Sequence, residues 1–154
     1  VGTSWFLPPD DQVKGKAAVP TQRALTDELV KFARARRKPV MVAELSPQGF
    51  DLVAGTRRNI SPIWDGAAGQ GTRRLDDAGI WASWYAPFLA YLRANDDVIR
   101  AVAYINVRWD AQQMWVAPYA NGYWGDSRLE ANRAIADRWS QAIEAWRGGT
   151  PKGK

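Results

Sequence analysis

Three short apolar runs, each followed by an amphipathic helical pattern, constrain the fold of this chain more than any other feature. The runs are residues 1–6 (VGTSWF), 40–43 (VMVA) and 99–107 (IRAVAYINV). Apolar residues three and four apart mark the helices that follow: Leu25, Leu29, Phe32 and Ala33; Ile80, Trp84, Phe88, Tyr91 and Leu92; Ile135, Trp139, Ile143 and Trp146. Continuous apolar runs are typical of strands covered on both faces. Three successive βα units predict an α/β fold with parallel strands and right-handed crossovers.

Loop lengths distinguish the two ends of this predicted sheet. The helix-to-strand connections, residues 37–39 and 95–98, have the usual length of ~2–6 residues. The strand-to-helix connections, residues 46–79 and 110–126, are far longer. In parallel sheets and barrels, ligands bind and catalytic residues lie at the carboxyl ends of the strands. We therefore expect the functional site at the end that carries the long loops.

The absence of cysteine and histidine from the sequence removes several kinds of chemistry. Disulfides, thiolate nucleophiles, Cys/His metal sites and Ser/His or Cys/His catalysis are excluded. Any acid–base chemistry must therefore use carboxylates, and no cofactor or metal is predicted. No apolar run approaches the ~20 residues of a membrane span, so we expect no membrane partner. Lack of cysteine leaves the cellular compartment open.

The net charge of +5 permits anionic partners, but the basic residues are dispersed. They occur in short groups at residues 36–38, 57–58 and 73–74. Nucleic-acid-binding segments more often carry long basic blocks, so no nucleic-acid partner is predicted. A basic polyanion-binding module remains an alternative function, and its affinity would fall steeply with salt.

Glu44 directly follows the second apolar run and precedes the longest loop, which makes it the candidate catalytic residue. A carboxylate in this position can also simply pair with an arginine or cap a turn, since buried charges are usually paired. Residues with aromatic, amide or carboxylate side chains surround the other strand ends and the third loop: Trp5, Asn106, Trp109, Asp110, Trp115 and Trp124. Such groups suit sugars, because sugar C–H faces pack on rings while the hydroxyls take directed hydrogen bonds.

These aromatic residues also have a purely structural interpretation, in which they pack the long loops against each other. The helical tryptophans Trp81, Trp84, Trp139 and Trp146 lie at core spacing and are predicted to be packing residues. The loop aspartates Asp51, Asp65, Asp110 and Asp126 are expected to order their loops through turns or salt bridges.

Four motifs carry a family resemblance: SWF at residues 4–6, PVMVAELSP at 39–47, AYINVRWD at 103–110 and YWGDSRL at 123–129. In this order they resemble the carboxyl-terminal part of a clan A (β/α)8-barrel glycoside hydrolase, most like family 26, the β-mannanase group. The resemblance implies a partial TIM barrel, with the three βα units as strands six to eight. Residues 1–147 would belong to the catalytic domain, and residues 148–154 would form a flexible basic tail.

The same resemblance implies a retaining endo-glycosidase that acts on a β-linked polysaccharide and is secreted or periplasmic. Glu44 falls on the family's nucleophile, and Trp109 on its sugar platform. The family's acid/base, at the end of strand four, has no counterpart in this sequence. We therefore expect a fragment that is inactive alone and needs the missing barrel half, from the same or another chain. A non-catalytic carbohydrate-binding protein is the alternative, because it would need aromatic platforms but no acid/base.

Overall fold

The structure is a computed structural model, and it describes residues 1–6, 22–58, 72–115 and 124–148. The strands are Gly2–Trp5 (β1), Val40–Leu45 (β2), Phe50–Asp51 (β3), Thr56–Arg57 (β4), Arg73–Arg74 (β5) and Ile99–Tyr104 (β6). The α-helices are Gln22–Ala35 (α1), Asp77–Ile80 (α2), Ala86–Ala94 (α3) and Arg133–Arg147 (α4). A π-helical turn, Trp81–Tyr85, joins α2 to α3. Within the described ranges, no helix is long and apolar enough to cross a membrane.

The main sheet contains three parallel strands in the order β1, β2, β6. These are the three strands that the apolar runs predict, and they are parallel as expected. Trp5 lies beside Leu45, and Leu45 beside Tyr104, so the carboxyl ends of the strands are level. The sheet is small and open, and its assignment to a (β/α)8 barrel stays a prediction.

Only one face of the central strand is well covered. Val40 and Val42 are 1% and 0% exposed, whereas Met41 is 41% exposed and Ala43 is also exposed. Among the described residues, β2 is therefore buried on one face only, and burial on both faces stays a prediction for a complete barrel. The covered face packs against helical side chains that include Trp84, Phe88, Leu92, Ile135 and Trp139. Each such apolar side chain contributes roughly 1.5–3 kcal/mol when it is fully buried.

The face that helix α1 presents to the core only partly matches the one that its periodicity suggests: Leu29 and Ala33 contact the core as predicted, and Leu25 and Phe32 do not. The buried residues are Thr26, Val30 and Ala33, whereas Leu25 and Phe32 are 53% and 54% exposed. Positions 25, 29 and 32 have the same spacing as 26, 30 and 33, displaced by one residue, which is about 100° around the helix axis. Periodicity alone cannot choose between two such stripes, and the packing of the sheet decides.

The turn after α1 forms a Schellman motif around Arg37. The Lys38 N–H donates to the Ala33 carbonyl at 2.9 Å, and the Arg37 N–H donates to the Arg34 carbonyl at 3.1 Å. Arg37 has a φ of 52°, in the left-handed region where this motif usually has glycine. The motif ends the helix so that the chain can enter β2 at Val40.

Replacing Arg37 with glycine should stabilise the protein, because a non-glycine residue in the left-handed region costs roughly 1 kcal/mol. We expect the free energy of unfolding of Arg37→Gly to rise by up to about 1 kcal/mol, less the entropy that glycine adds to the unfolded chain. Urea denaturation followed by circular dichroism measures this change. Arg36→Gly is the matched control, and it should destabilise. If Arg37→Gly destabilises as much as the control, the Schellman geometry is wrong.

Candidate active site

The carboxyl ends of the three parallel strands are joined by backbone hydrogen bonds into one edge. The Ser46 N–H donates to the Trp5 carbonyl at 3.2 Å, and the Ile105 N–H donates to the Leu45 carbonyl at 2.8 Å. The chain segments that leave β1, β2 and β6 therefore start side by side. The long loops predicted from the sequence begin at this edge.

Glu44 is the penultimate residue of β2, so it lies within the strand and not after it. It pairs with Ser4 of β1, and the Ser4 hydroxyl donates to Glu44 Oε2 at 2.7 Å. The register shifts between Thr3 and Ser4, where the pairing is irregular. Glu44 is exposed, in contrast to the following residue Leu45. A carboxylate that is held by one short hydrogen bond and faces solvent is available to a substrate.

Three half-buried aromatic rings form a cluster at the same edge. The indole Nε1 of Trp109 donates to the Ser46 hydroxyl at 3.2 Å, two residues beyond Glu44 in the chain. The rings of Trp109 and Trp124 lie 4.7 Å apart between centroids, and those of Phe6 and Trp124 lie 5.0 Å apart. We call Phe6, Trp109 and Trp124 the aromatic cluster. It brings together the residue that follows β1 and two residues from the segment that follows β6.

The segment around Gly125 holds the aromatic cluster in place through backbone contacts. The Gly49 N–H donates to the Trp124 carbonyl at 3.1 Å, and the Trp109 N–H donates to the Gly125 carbonyl at 3.1 Å. Gly125 has a φ of 80°, and a Cβ atom there would lie 2.0 Å from the Phe50 carbonyl oxygen. Only glycine fits this close approach of two backbones.

Two buried polar residues, Asp126 and Ser127, also hold this segment in place through hydrogen bonds. The Ser127 hydroxyl is 2.9 Å from the carbonyl oxygens of both Ile105 and Val107. Asp126 is 3% exposed and accepts a 2.6 Å hydrogen bond from Arg128 Nη2. Burial favours the neutral carboxyl group and raises its pKa, but the hydrogen bonds and charge of Arg128 outweigh it, and the pKa of Asp126 is lowered. Asp126 therefore remains ionised as the loop-ordering residue that the sequence suggests.

Trp5 has a different environment from the one predicted for it. It is 1% exposed, and its ring centroid lies 5.5 Å from that of Phe88 and 5.0 Å from that of Tyr91. The side chain points to the helix-covered face, since strand neighbours alternate between faces and Ser4 carries the contact to Glu44. The structure thus places Trp5 in the core and not on a surface that a sugar could reach.

Asn106 and Asp110 are occupied by partners within the protein. The Asn106 side chain donates to Glu130 Oε2 at 2.7 Å and accepts from the Leu129 N–H at 2.7 Å. This hydrogen bond from Asn106 is the main reason that the pKa of Glu130 is lowered. Asp110 accepts from Arg108 Nε at 3.0 Å. Both predicted binding residues order the segment after β6 in this structure.

Of the remaining predicted residues, Trp109 and Trp124 come together, and Trp109 donates to Ser46, two residues beyond Glu44. Trp115 ends a 3-10 turn, Gln113–Trp115, and its side chain lies outside what the structure describes. Asp65 and tail residues 149–154 also lie outside the described residues. Sequence reasoning missed Ser4, Ser46 and Ser127, although they stand in the SWF, PVMVAELSP and YWGDSRL motifs.

In the described part of the chain, no group of three or more His, Cys, Asp or Glu side chains is arranged to hold a metal ion. The described groups at the edge are the Glu44 carboxylate, the Ser4 and Ser46 hydroxyls and the indole rings of Trp109 and Trp124. Such a site can bind the apolar face of a sugar on the rings while the carboxylate approaches a carbon or a hydroxyl.

Comparison with known proteins adds two relatives. The chain is 33% identical over 147 residues to a protein named beta-1,3-xylanase from Alcaligenes sp., covering 94% of this chain and 28% of the relative. It is 33% identical over 146 residues to beta-1,3-xylanase TXYA from Vibrio sp., covering 93% of this chain and 28% of the relative. The chain thus spans about 28% of the length of the curated relatives it matches.

No family model matches the chain. The predicted resemblance to glycoside hydrolases is confirmed at that general level, since both relatives carry the name of a xylanase. Their names do not bear on the narrower resemblance to mannanases.

Proposed function

We propose that this chain carries the nucleophile of a retaining endo-glycosidase that acts on a β-linked polysaccharide, and that Glu44 is this nucleophile. One observation carries the proposal: the exposed carboxylate of Glu44 and the half-buried rings of Trp109 and Trp124 all lie at the carboxyl end of the parallel sheet. The Trp109–Ser46 hydrogen bond joins these rings to the residue two positions beyond Glu44. Similarity to two xylanases over nearly the whole chain supports the same class of reaction.

In the proposed reaction, the Glu44 carboxylate attacks the anomeric carbon of a sugar while a second carboxyl group protonates the departing glycosidic oxygen. The glycosyl–Glu44 ester that forms is then hydrolysed by water, which the second group deprotonates. Retaining enzymes hold the two carboxyl groups ~5–5.5 Å apart. Ser4 would hold Glu44 by donating to its Oε2 atom.

The described carboxylates near this edge are committed to other contacts. Asp110 and Asp126 pair with arginines, and Glu130 accepts from an asparagine. We therefore propose that the acid/base belongs to another part of a (β/α)8 barrel, in the same or another chain. The three βα units would take the places of strands six to eight, and the exposed face of β2 around Met41 would turn to the interior of that barrel.

For the substrate, we propose a xylan with β-1,3 linkages in preference to mannan, because both relatives are named for xylanase activity. The family 26-like barrel and a secreted or periplasmic location remain part of the proposal, and they rest on the motif resemblance. A non-catalytic carbohydrate-binding protein is the second candidate. The aromatic cluster favours it as well, because stacking on Trp109 and Trp124 needs no acid/base.

Binding through the aromatic cluster is tested by Trp109→Ala. Removing this indole should weaken binding of β-1,3-linked xylo-oligosaccharides by about 1–3 kcal/mol, the scale of a buried aromatic contact. Titration calorimetry on the folded variant measures the loss, with thermal unfolding as the check on folding.

Phe32→Ala is the matched control, because Phe32 is an aromatic residue that is 54% exposed on α1. It should leave the affinity for xylo-oligosaccharides unchanged. An unchanged affinity in Trp109→Ala, or an equal loss in both variants, would show that the aromatic cluster does not bind the glycan.

A further inference from the structure

Gln48 is a buried polar residue in the segment that follows β2, four residues beyond Glu44. It is only 6% exposed. Buried amides nearly always have hydrogen-bond partners, because a buried polar group without one costs free energy. Across residues 1–6, 22–58, 72–115 and 124–148, however, the side chain of Gln48 forms no hydrogen bond. A buried amide of this kind requires an explanation.

The amide of Gln48 is within reach of a ligand. In the same described ranges, the fully enclosed side-chain nitrogen and oxygen atoms without a partner belong to other residues. The amide of Gln48 therefore keeps a small contact with solvent, although most of the residue is enclosed. A ligand at this position can form hydrogen bonds with the amide without any opening of the core.

The backbone of Gln48 is fixed beside the aromatic cluster. The Gln48 N–H donates to the Phe6 carbonyl at 3.1 Å, and the N–H of the next residue, Gly49, donates to the Trp124 carbonyl at 3.1 Å. Two residues earlier, the Ser46 hydroxyl accepts the indole hydrogen bond of the third ring in the cluster. Gln48 and its near neighbours are thus joined to all three residues of the aromatic cluster.

Other amide side chains at this end of the sheet have clear structural roles. Gln22 Oε1 accepts from the Phe6 N–H at 2.8 Å. The Asn106 side chain donates to Glu130 and accepts from the Leu129 N–H. These amides satisfy backbone donors or carboxylates of the protein. Among the described residues, Gln48 has no such role, which favours a function in binding.

We propose that Gln48 is a glycan-binding residue of the candidate active site, and that its amide binds hydroxyl groups of the sugar that stacks on the aromatic cluster. This inference rests on the proposed function for the glycan itself. An amide accepts through its oxygen and donates through its nitrogen, so it can pair with two neighbouring hydroxyls. Those hydroxyls lie around the rim of a sugar ring whose face packs on an aromatic ring. Gln48 takes no part in bond cleavage.

The variant Gln48→Met tests this proposal, because methionine keeps the length of the side chain and removes both polar amide atoms. Binding of β-1,3-linked xylotriose to the full chain should weaken roughly three- to tenfold, the scale of one or two hydrogen bonds between neutral groups. Titration calorimetry measures this loss.

Thermal unfolding of the same variant separates binding from a structural role. If the amide has no partner in the protein, its removal should leave the Tm unchanged or raise it by up to about 2–4 °C. If the amide instead holds the segment after β2 in place, the Tm should fall.

Two matched controls carry the same substitution. Gln141→Met, at an exposed position of α4, should change neither the affinity nor the Tm. Gln22→Met should lower the Tm, because it removes the acceptor of the Phe6 N–H. The second control shows that the unfolding measurement detects the loss of a structural amide.

The hydroxyl that Gln48 binds is identified with xylotriose analogues that lack one hydroxyl, at C2 or at C4. A site built to bind a hydroxyl binds the analogue without it less well. One analogue should therefore bind the unsubstituted chain about three- to tenfold more weakly than xylotriose and show no further loss with Gln48→Met. The second loss is absent because both changes remove the same contact.

An unchanged affinity in Gln48→Met, a fall in its Tm like that of Gln22→Met, or additive losses with every analogue would each overturn the proposal. In those cases the proposed function stands if Trp109→Ala still weakens xylotriose binding. If the unsubstituted chain binds no xylotriose, both proposals are contradicted.

Discussion

Replacing Gly125 with alanine is expected to destabilise the folded chain by about 3–5 kcal/mol, the range of the most damaging single substitutions. Alanine at a φ of 80° is strained, and its Cβ would lie 2.0 Å from the Phe50 oxygen and 2.6 Å from the Phe50 carbonyl carbon. Backbone atoms cannot rotate away as a side chain can. Relief therefore requires the segment around Gly125 to separate from β3, which breaks the Gly49–Trp124 hydrogen bond.

Urea denaturation measures the loss of stability in Gly125→Ala. Gly2→Ala is the matched control, because a Cβ at Gly2 would meet Ala43 Cβ at an ordinary 3.7 Å. It should change the free energy of unfolding by less than about 1 kcal/mol, as expected for an exposed position without strain. Equal stability of the two variants would mean that the 124–126 segment does not lie against β3.

The parallel sheet could be predicted because each of its strands lies in an apolar run. The segment between β2 and α2 could not, since β3, β4 and β5 have two residues each and so carry no periodicity. Backbone hydrogen bonds to a distant part of the chain, such as Leu52 to Asp126, join this segment to the rest of the fold. Such contacts can be recognised in the sequence only where they require one particular residue, as the close approach of two backbones requires glycine at Gly125.

The positions of the candidate site residues in the fold follow from the sequence only in part. Glu44 and Trp109 could be assigned to one edge because the carboxyl ends of parallel strands meet. Trp5 stands equally close to a strand end, yet its ring is buried between Phe88 and Tyr91. Which face a residue takes depends on the register of the strand, and β1 is irregular between Thr3 and Ser4. A one-residue shift moves a side chain from one face to the other.

Replacing Glu44 with glutamine is expected to have the largest effect on function. In the complete barrel proposed above, kcat/KM of Glu44→Gln should fall on the order of 10⁴-fold or more, as it does when a catalytic nucleophile is removed. Glutamine has almost the same size and can still accept from Ser4, which now holds the carboxylate at 2.7 Å. Binding of the xylan should therefore persist. Glu28→Gln, on the exposed face of α1, is the control and should retain activity.

The reaction of Glu44→Ala with added azide shows whether Glu44 is the nucleophile or the acid/base, because the two roles give products of different configuration. If Glu44 is the nucleophile, azide enters the space left by the carboxylate and attacks the anomeric carbon directly, so the single displacement gives a glycosyl azide of inverted, α configuration. If Glu44 were instead the acid/base, azide would attack the glycosyl-enzyme in the second of two displacements and give the β product. A fluorinated xyloside with a good leaving group should likewise label Glu44 in the unsubstituted enzyme, and peptide mapping locates the label. A glycosyl azide of β configuration, or a label on another residue, would show that Glu44 is not the nucleophile.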